Sequence, residues 1–170
     1  MLIFNKKVVL AIAGVAAFVP FTAHAANQTG NASATIGTAI AVSEDTQMDF
    51  ATIVTDNSAQ TVTLTSAGSI SAGGGSYTFL GSPAAAAFSA TGEASQAVTI
   101  SFSTGDTLTD QLAQGGAAMA LGNFTNDAGG TPAFDGSGNL SFNVGADLTV
   151  GANQVASSYA GTYTITVDYQ

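Results

Sequence analysis

The sequence predicts an all-β protein that folds as one antiparallel β-sandwich. Apolar residues alternate with Ser, Thr and Ala in several short segments, and this period of two is typical of strands with one buried face. Glycine-rich breaks, among them residues 73–75 and 136–138, separate the segments, and short strands joined by such turns favour a sandwich. The chain of 170 residues has no cysteine, but a single domain of this size buries enough surface to need no disulfide bond.

The alternation also places the individual elements. The longest alternating segment, residues 31–43, predicts the first strand. Further strands are predicted at residues 50–54, 61–65, 77–80, 98–103, 140–144, 148–150 and 159–170. Two short helices are expected, at residues 83–88, where four consecutive alanines favour helix, and at residues 110–113. Neither segment is long enough to change the predicted class.

The first 25 residues have the three parts of a secretory signal peptide. Residues 6–7 are lysines, residues 8–21 are apolar, and residues 23–25 have the A-x-A cleavage pattern. The apolar part is shorter than the ~20 residues that a helix needs to cross a bilayer. We therefore expect the protein to pass through the periplasm, to begin at Ala26 and to reach the cell surface or the medium without a membrane anchor.

The charged residues limit what the exported chain can do. The two basic residues and the one histidine all lie within residues 1–25, so their removal leaves no Lys, Arg, His or Cys, while all eleven acidic residues remain. A chain with no cationic side chain cannot neutralise phosphates, which excludes nucleic-acid binding. Without imidazole or thiolate there is also no zinc site and no cysteine nucleophile.

Carboxylates are then the groups left for acid–base catalysis, and a pair of them could in principle hydrolyse glycosides. The acidic residues are dispersed, mostly beside turns, and the chain has no Trp to stack against sugars. We therefore expect no enzymatic activity and no cofactor, and a carboxylate hydrolase is the weakest alternative.

Residues 135–139 place oxygen atoms at alternate positions, as a calcium loop does, but Ala146 stands where the bidentate Glu belongs. The segment predicts a hairpin turn, and no metal site is predicted.

Three segments carry a family resemblance. Residues 144–150 (VGADLTV) and 159–169 (YAGTYTITVDY) resemble the domain-of-unknown-function 4402 family, as do residues 48–53 (MDFATI), in which Ala51 stands where a glycine is usual. The resemblance covers about residues 34–169. It implies a small secreted bacterial protein that folds as a pilin-like β-sandwich.

The last strand is also similar to that of fimbrial subunits of the chaperone–usher type, in which apolar residues alternate up to a penultimate Tyr, here Tyr169. The similarity implies a homopolymer, a surface filament served by a periplasmic chaperone and an outer-membrane assembly protein. Such subunits often carry a cysteine pair, which this chain lacks. We accordingly expect an immunoglobulin-like sandwich at residues 46–170, preceded by an N-terminal extension at residues 26–45.

The extension is the candidate for contact between copies. A strand next to the cleavage site can leave its own domain and complete the sheet of a neighbour, or it can pair at home as an ordinary first strand. In the first case the protein is a filament subunit, and in the second it is a monomeric secreted module for adhesion or ligand binding. We predict donation, with an inserting face formed by Ala32, Ala34, Ile36, Ile40 and Val42. The strand predicted to lie beside the receiving groove presents Tyr163, Ile165, Val167 and Tyr169.

Processing gives the first testable prediction. We expect the exported protein to consist of residues 26–170, because residues 23–25 have the small-residue pattern that signal peptidase recognises. Intact-mass measurement on protein collected from the medium or the cell surface checks this. A mass that still includes residues 1–25 would contradict the prediction.

Overall fold

A computed structural model describes residues 25–170 of the chain, and every regular element in this part is a β-strand. The predicted all-β class is therefore confirmed. The predicted signal peptide lies outside the described residues, except for Ala25. Among residues 25–170 there is no helix long and apolar enough to cross a membrane.

Twelve strands follow one another along the chain, and every pairing between them is antiparallel. They are β1 (Ala41–Thr46), β2 (Thr52–Val54), β3 (Gln60–Leu64), β4 (Ile70–Ala72), β5 (Thr78–Leu80), β6 (Ala86–Thr91), β7 (Val98–Phe102), β8 (Asp106–Asp110), β9 (Met119–Asn126), β10 (Asn139–Val150), β11 (Tyr159–Ala160) and β12 (Ile165–Tyr169).

The chain divides into two units, with the boundary between Thr35 and Ile36. In the first unit, the described residues 25–35 form no regular secondary structure and are exposed. The second unit contains all twelve strands. We call residues 26–37 the arm, because all of them are exposed and none belongs to a strand.

Strand β10 is the centre of an eight-stranded sheet that curls into a half-barrel. One edge of β10 pairs with β6 along its first half and with β3 along its second half, while the other edge pairs with β9. The sheet continues from β6 to β1, from β9 through β8 to β11, and from β3 to β4. Two small sheets, β7 with β12 and β2 with β5, complete the second unit.

The buried side chains form two apolar clusters, and β10 contributes to both. The first cluster contains Phe50, Val62, Leu64, Met119, Leu121, Ala146, Leu148 and Val150. The second cluster contains Ala86, Phe88, Ala90, Val98, Phe134, Phe142, Val144 and Val167. The alternating residues of β10 thus point inwards along its whole length, as the period-two pattern of the sequence predicts.

The structure corrects the two predicted helices. The second half of the alanine run, Ala86 and Ala87, begins β6, which pairs with β1 and β10. The alternate residues Ala86, Phe88 and Ala90 of this strand are buried. Pairing on both edges outweighs the helix propensity of alanine, which is only a weak preference. Asp110 ends β8, and the residues after it form bends instead of a helical turn.

The first strand is also shorter than predicted. β1 begins at Ala41, and residues 31–40 have no regular secondary structure, because within the described chain no strand edge pairs with them. Four strands, β4, β6, β8 and β9, were not predicted from the alternation. By contrast β3 and β7 lie where the sequence places them, and β10 joins two predicted strands into one.

Gly145 lies at the closest approach between β10 and β3. A Cβ atom added there would overlap with the carbonyl oxygen of Leu64 and with the backbone of Thr65 and Ser66. Backbone atoms cannot turn aside as the end of a flexible side chain can. The pairing of β10 with β9 also shifts by a bulge just after Gly145, so this position bends the central strand.

We expect Gly145→Ala to destabilise the domain by about 1–3 kcal/mol, which is the usual cost of overpacking. Gly122→Ala in β9 is the matched control, because nothing lies within 4 Å of a Cβ atom added there. Urea unfolding of the two variants and the parent measures the difference. Equal loss of stability in both variants would show that the close approach is not what requires glycine.

Candidate functional site

A groove of about 1470 Å³ lies over the first cluster of the second unit. Its floor is apolar and comes from strands β8, β9 and β10 of the large sheet. The floor residues are Leu108, Met119, Leu121, Leu148 and Val150. Two segments flank this floor, residues 42–57, which we call the first wall, and residues 154–165, which we call the second wall.

The first wall contains β1 and β2 and is held to the rest of the domain at its middle. Asp49 and Ala84 exchange two backbone hydrogen bonds of 2.8 and 2.9 Å. The carboxylate of Asp49 also accepts a hydrogen bond from the backbone N–H of Ala51 at 2.7 Å. Ala51 adopts a left-handed backbone conformation with φ of 56°, which glycine adopts at lower cost. This conformation explains why the resembling family motif has glycine at this position.

The second wall is fixed by Tyr159. Its hydroxyl donates a hydrogen bond to the carbonyl oxygen of Val155 at 2.8 Å and accepts one from the side-chain amide of Gln154 at 2.9 Å. Farther along, Gly161 lies so close to β8 that an added Cβ atom would overlap with the carbonyl oxygen of Thr107. The second wall therefore follows the edge of β8 closely.

Asp110 fastens the second wall to the loop after β8. Its carboxylate accepts hydrogen bonds from the hydroxyl of Ser157 and from the backbone N–H groups of Leu112 and Gly116, the latter two at 2.9 and 3.0 Å. These donors, that of Ser157 above all, hold the pKa of Asp110 at about 2, below its usual value of 3.8. The carboxylate thus remains charged while it orders this part of the groove.

Tyr163 is the polar residue deepest in the second wall. Its ring stacks on Phe124 at 5.0 Å between centroids and meets the edge of Phe88 at 6.5 Å. Its hydroxyl is buried and has no hydrogen-bond partner among the described residues. Burial, assisted by the negative charge of Glu44, raises the pKa of Tyr163 to about 12, so the hydroxyl stays protonated and can donate a hydrogen bond.

The residues predicted to insert into a neighbour fall into two groups. Ala32, Ala34 and Ile36 belong to the arm, and the side chain of Ile36 is 97% exposed. Ile40 packs against the second cluster of its own domain. Val42 lies in β1 opposite Ala90 of β6 and on the rim of the groove. Insertion into a second copy remains a prediction for all five.

Of the four residues predicted beside the receiving groove, two line the groove and two lie elsewhere. Tyr163 and Ile165 line the groove. Val167 is buried in the second cluster, and Tyr169 lies opposite Val98 at the end of β12. Within residues 25–170, β12 pairs only with β7, so its other edge has no strand beside it.

Sequence reasoning missed β8 and β9, two of the three strands that form the floor of the groove. Leu108 stands between Thr107 and Thr109, and Met119 and Leu121 flank Ala120, so both segments show a short alternation. Leu108 is a single apolar residue, and Phe124 in β9 falls out of step with Met119 and Leu121, so neither segment keeps the alternation along its length.

The acidic residues do not form a cluster typical of a metal site in the described part of the chain. In the part of the chain that the structure describes, no three of them are grouped closely enough to hold a metal ion. The loop that resembles a calcium site is closed by its own backbone, since one oxygen of Asp135 accepts N–H groups of Ser137 and Asn139 at 2.8 Å. These carboxylates order turns.

The pKa of Asp110 gives a prediction for the second wall. Because the folded-state pKa is lowered to about 2 from 3.8, the carboxylate stabilises the fold above its unfolded pKa and loses this effect as the pH falls through about 2. We expect Asp110→Asn to be less stable than the parent near neutral pH, with a difference that shrinks between about pH 4 and pH 2. Urea unfolding over this range measures it. A difference that does not depend on pH would contradict the role given to the charge.

Comparison with known proteins agrees with the resemblance. A family model described as Domain of unknown function (DUF4402) matches residues 40–169. No curated protein and no solved structure matches the chain. The matched residues include nearly all of the second unit and both walls of the groove. The chain therefore belongs to the family described as Domain of unknown function (DUF4402).

Proposed function

We propose that the protein is a secreted structural subunit of a bacterial surface filament, in which the arm of one copy inserts as a β-strand into the groove of the next. One observation carries this proposal: the same chain has a groove with an apolar floor and an exposed, alternating segment that pairs with nothing in the described chain. Strand addition gives the exposed segment a pairing partner and fills the groove, because the inserted backbone forms hydrogen bonds with the neighbouring backbone and its apolar side chains cover the floor.

The energetics of the arm support insertion. Ile36 leaves 97% of its surface in water, and its complete burial contributes about 1.5–3 kcal/mol before the cost of ordering the arm. The arm contains no charged side chain, so no charge has to be buried with it. In the described chain β12 has an edge with no strand beside it, and its first residue, Ile165, lines the groove, so the backbone at this end of the groove can pair with an added strand.

An inserted strand also accounts for the open architecture of the domain. The second cluster is covered, because Val98 of β7 and Val167 of β12 pack into it opposite β6 and β10. Over the first cluster most of the floor residues are buried, but the walls of the groove expose the apolar side chains of Val42, Val54 and Val155. We propose that the complete fold is an immunoglobulin-like sandwich, to which the neighbouring copy supplies the missing strand.

Export and assembly partners follow from the same proposal. The signal-peptide pattern of residues 1–25 supports passage through the periplasm to the cell surface. An unfilled apolar groove favours aggregation, which supports a periplasmic chaperone that covers it and an outer-membrane assembly protein that exchanges the chaperone for the next arm. The proposed role is structural and includes no enzymatic activity and no cofactor.

The alternative is a monomeric secreted module for adhesion or ligand binding. The cis pairing of β1 with β6 favours it, because Ile40 and Val42 already contact their own domain. In that case the groove binds an external ligand. A volume of about 1470 Å³ is larger than the ~300–1,000 Å³ of a small-molecule site and favours an extended ligand such as a peptide.

Removal of the arm separates the two functions. We expect a chain lacking residues 26–37 to stay monomeric, because the groove and β1 remain but no donor strand is present. A synthetic peptide of residues 26–37 should bind this chain and raise its melting temperature, since the peptide supplies the missing ladder. Size-exclusion chromatography and thermal unfolding measure both effects. Full-length exported protein that stays monomeric at all concentrations, even when seeded with surface filaments, would reject the filament proposal.

Two adjacent positions provide a matched pair of variants. Ile36→Asp should block assembly, because the inserted face would bury an unpaired charge, whereas Thr35→Asp places the same charge on the opposite face of an extended strand. Both side chains are exposed in the single chain, so neither variant should change the stability of the monomer. Light scattering during assembly distinguishes them, and equal inhibition by both would argue against insertion of this face.

A further inference from the structure

The two walls of the groove are joined beyond one end by a hydrogen bond between the terminal segments. The hydroxyl of Tyr169 donates to the carbonyl oxygen of Thr38 at 2.7 Å. Thr38 precedes Val42, with which the first wall begins, and Tyr169 follows Ile165, with which the second wall ends. This bond therefore bridges the continuations of both walls.

Glu93 reinforces this bridge from the loop after β6. One oxygen of its carboxylate accepts hydrogen bonds from the backbone N–H and the hydroxyl of Thr38, at 3.1 and 2.8 Å. The backbone N–H of Glu93 donates to the hydroxyl of Tyr169 at 2.6 Å. The Tyr169 ring meets Phe134 edge-on at 6.0 Å, and Gly92 leaves room for both rings. Three segments that are distant in sequence thus meet at one point.

The opposite end of the groove is bridged as well. The backbone N–H of Asn153, just before the second wall, donates to the carbonyl oxygen of Asn57, the last residue of the first wall, at 3.1 Å. Both asparagines adopt left-handed backbone conformations, with φ of 54° and 66°, which Asn tolerates better than most residues. The turn at Asn57 is held by Asp56, whose carboxylate accepts the N–H groups of Ser58 and Ser76 at 3.1 and 2.8 Å.

We infer that these two bridges are end stops that fix the register of an inserted strand. The inference rests on the proposed function, and the occupant to which it commits is residues 26–37 of a second copy. An extended arm of twelve residues is at least as long as the second wall, which contains bends and one short strand, β11. Because both ends of the groove are bridged, an arm that lies along the floor cannot slide beyond either bridge.

The arm needs such stops because its own pattern specifies register weakly. Its predicted inner face is Ala32, Ala34 and Ile36, which are small or single apolar residues. A slip by two residues keeps the same face directed inwards. On this face the slip puts Ala34 in the place of Ala32 and Ile36 in the place of Ala34, so only the position of Ile36 distinguishes the registers by apolar burial.

Disulfide cross-linking measures the register directly, because the exported chain has no cysteine of its own. The acceptor is the chain of residues 26–170 with Val155→Cys on the rim of the second wall and Ile36→Asp to disable its own arm. Donors are otherwise unchanged chains with one cysteine at successive positions of the arm. We expect a disulfide bond at one arm position and its immediate neighbour, since the bond forms only over a short Cα separation.

Opening the first bridge should broaden this pattern. In an acceptor that also carries Tyr169→Phe and Glu93→Ala, we expect cross-links to spread to arm positions two residues away, and hydrogen exchange at the Thr38 amide to become faster. Thr63→Val is the control, because it removes a hydroxyl hydrogen bond of 2.6 Å, to Asp147, outside both bridges. If the double variant does not fold, Tyr169→Phe alone gives the comparison, since it keeps the ring beside Phe134.

The outcomes separate the inference from the proposed function. Cross-links that keep a single register when the bridge is open would overturn the end-stop role and leave strand insertion intact. Unchanged exchange at Thr38 in the double variant would also overturn it, because the side chains would then not hold the bridge. No cross-link at any arm position with either acceptor would overturn the proposed insertion, and the end stops with it.

Discussion

The buried face of β10 is the constraint on which the rest of the domain depends. Its twelve residues supply side chains to both apolar clusters, and its two edges order β3, β6 and β9. On the outer face, Asp147 accepts hydrogen bonds from the hydroxyl of Thr63 at 2.6 Å and from the side-chain amide of Asn123 at 3.0 Å. These bonds connect β10 to both neighbouring strands, and Gly145 permits the bend between its two halves.

Because the sequence has no basic side chain after residue 24, the carboxylates must find other hydrogen-bond donors. Within residues 25–170 no carboxylate can pair with a basic side chain, so backbone N–H groups and hydroxyls donate hydrogen bonds to the carboxylates instead. At Asp56 and Asp110 such donors lower the pKa to about 2, because they favour the charged form. The same carboxylates order the turns that hold both walls, so the charge of the protein and the shape of its groove are connected.

The β-strands cover the two apolar clusters unevenly, and the groove lies over the cluster that fewer strands cover. β7 and β12 cover the second cluster, whereas the floor over the first cluster is flanked by walls that do not pair with each other in residues 25–170. The arm is long enough to form a strand but has no edge of its own to join. The proposed assembly of identical copies would give the arm an edge to pair with and would fill the groove, since each copy would offer the edge that the next one needs. The buried Tyr163 hydroxyl adds a hydrogen-bond donor to the wall beside such a strand.

The all-β class, the family resemblance and strands such as β3, β7 and β10 could be read from the sequence, because their apolar residues alternate over several positions. The arm could be identified for the same reason, from Ala32, Ala34 and Ile36. In the floor strands β8 and β9 the apolar residues do not alternate over several positions. The alanines of β6 favour helix until two neighbouring strands pair with them. Only the tertiary structure brought Thr38, Glu93 and Tyr169 together, and placed Tyr163 and Ile165 on the groove but Val167 in the core. Local alternation depends on neighbouring residues alone, whereas walls and bridges arise from pairing between segments that are far apart in the chain.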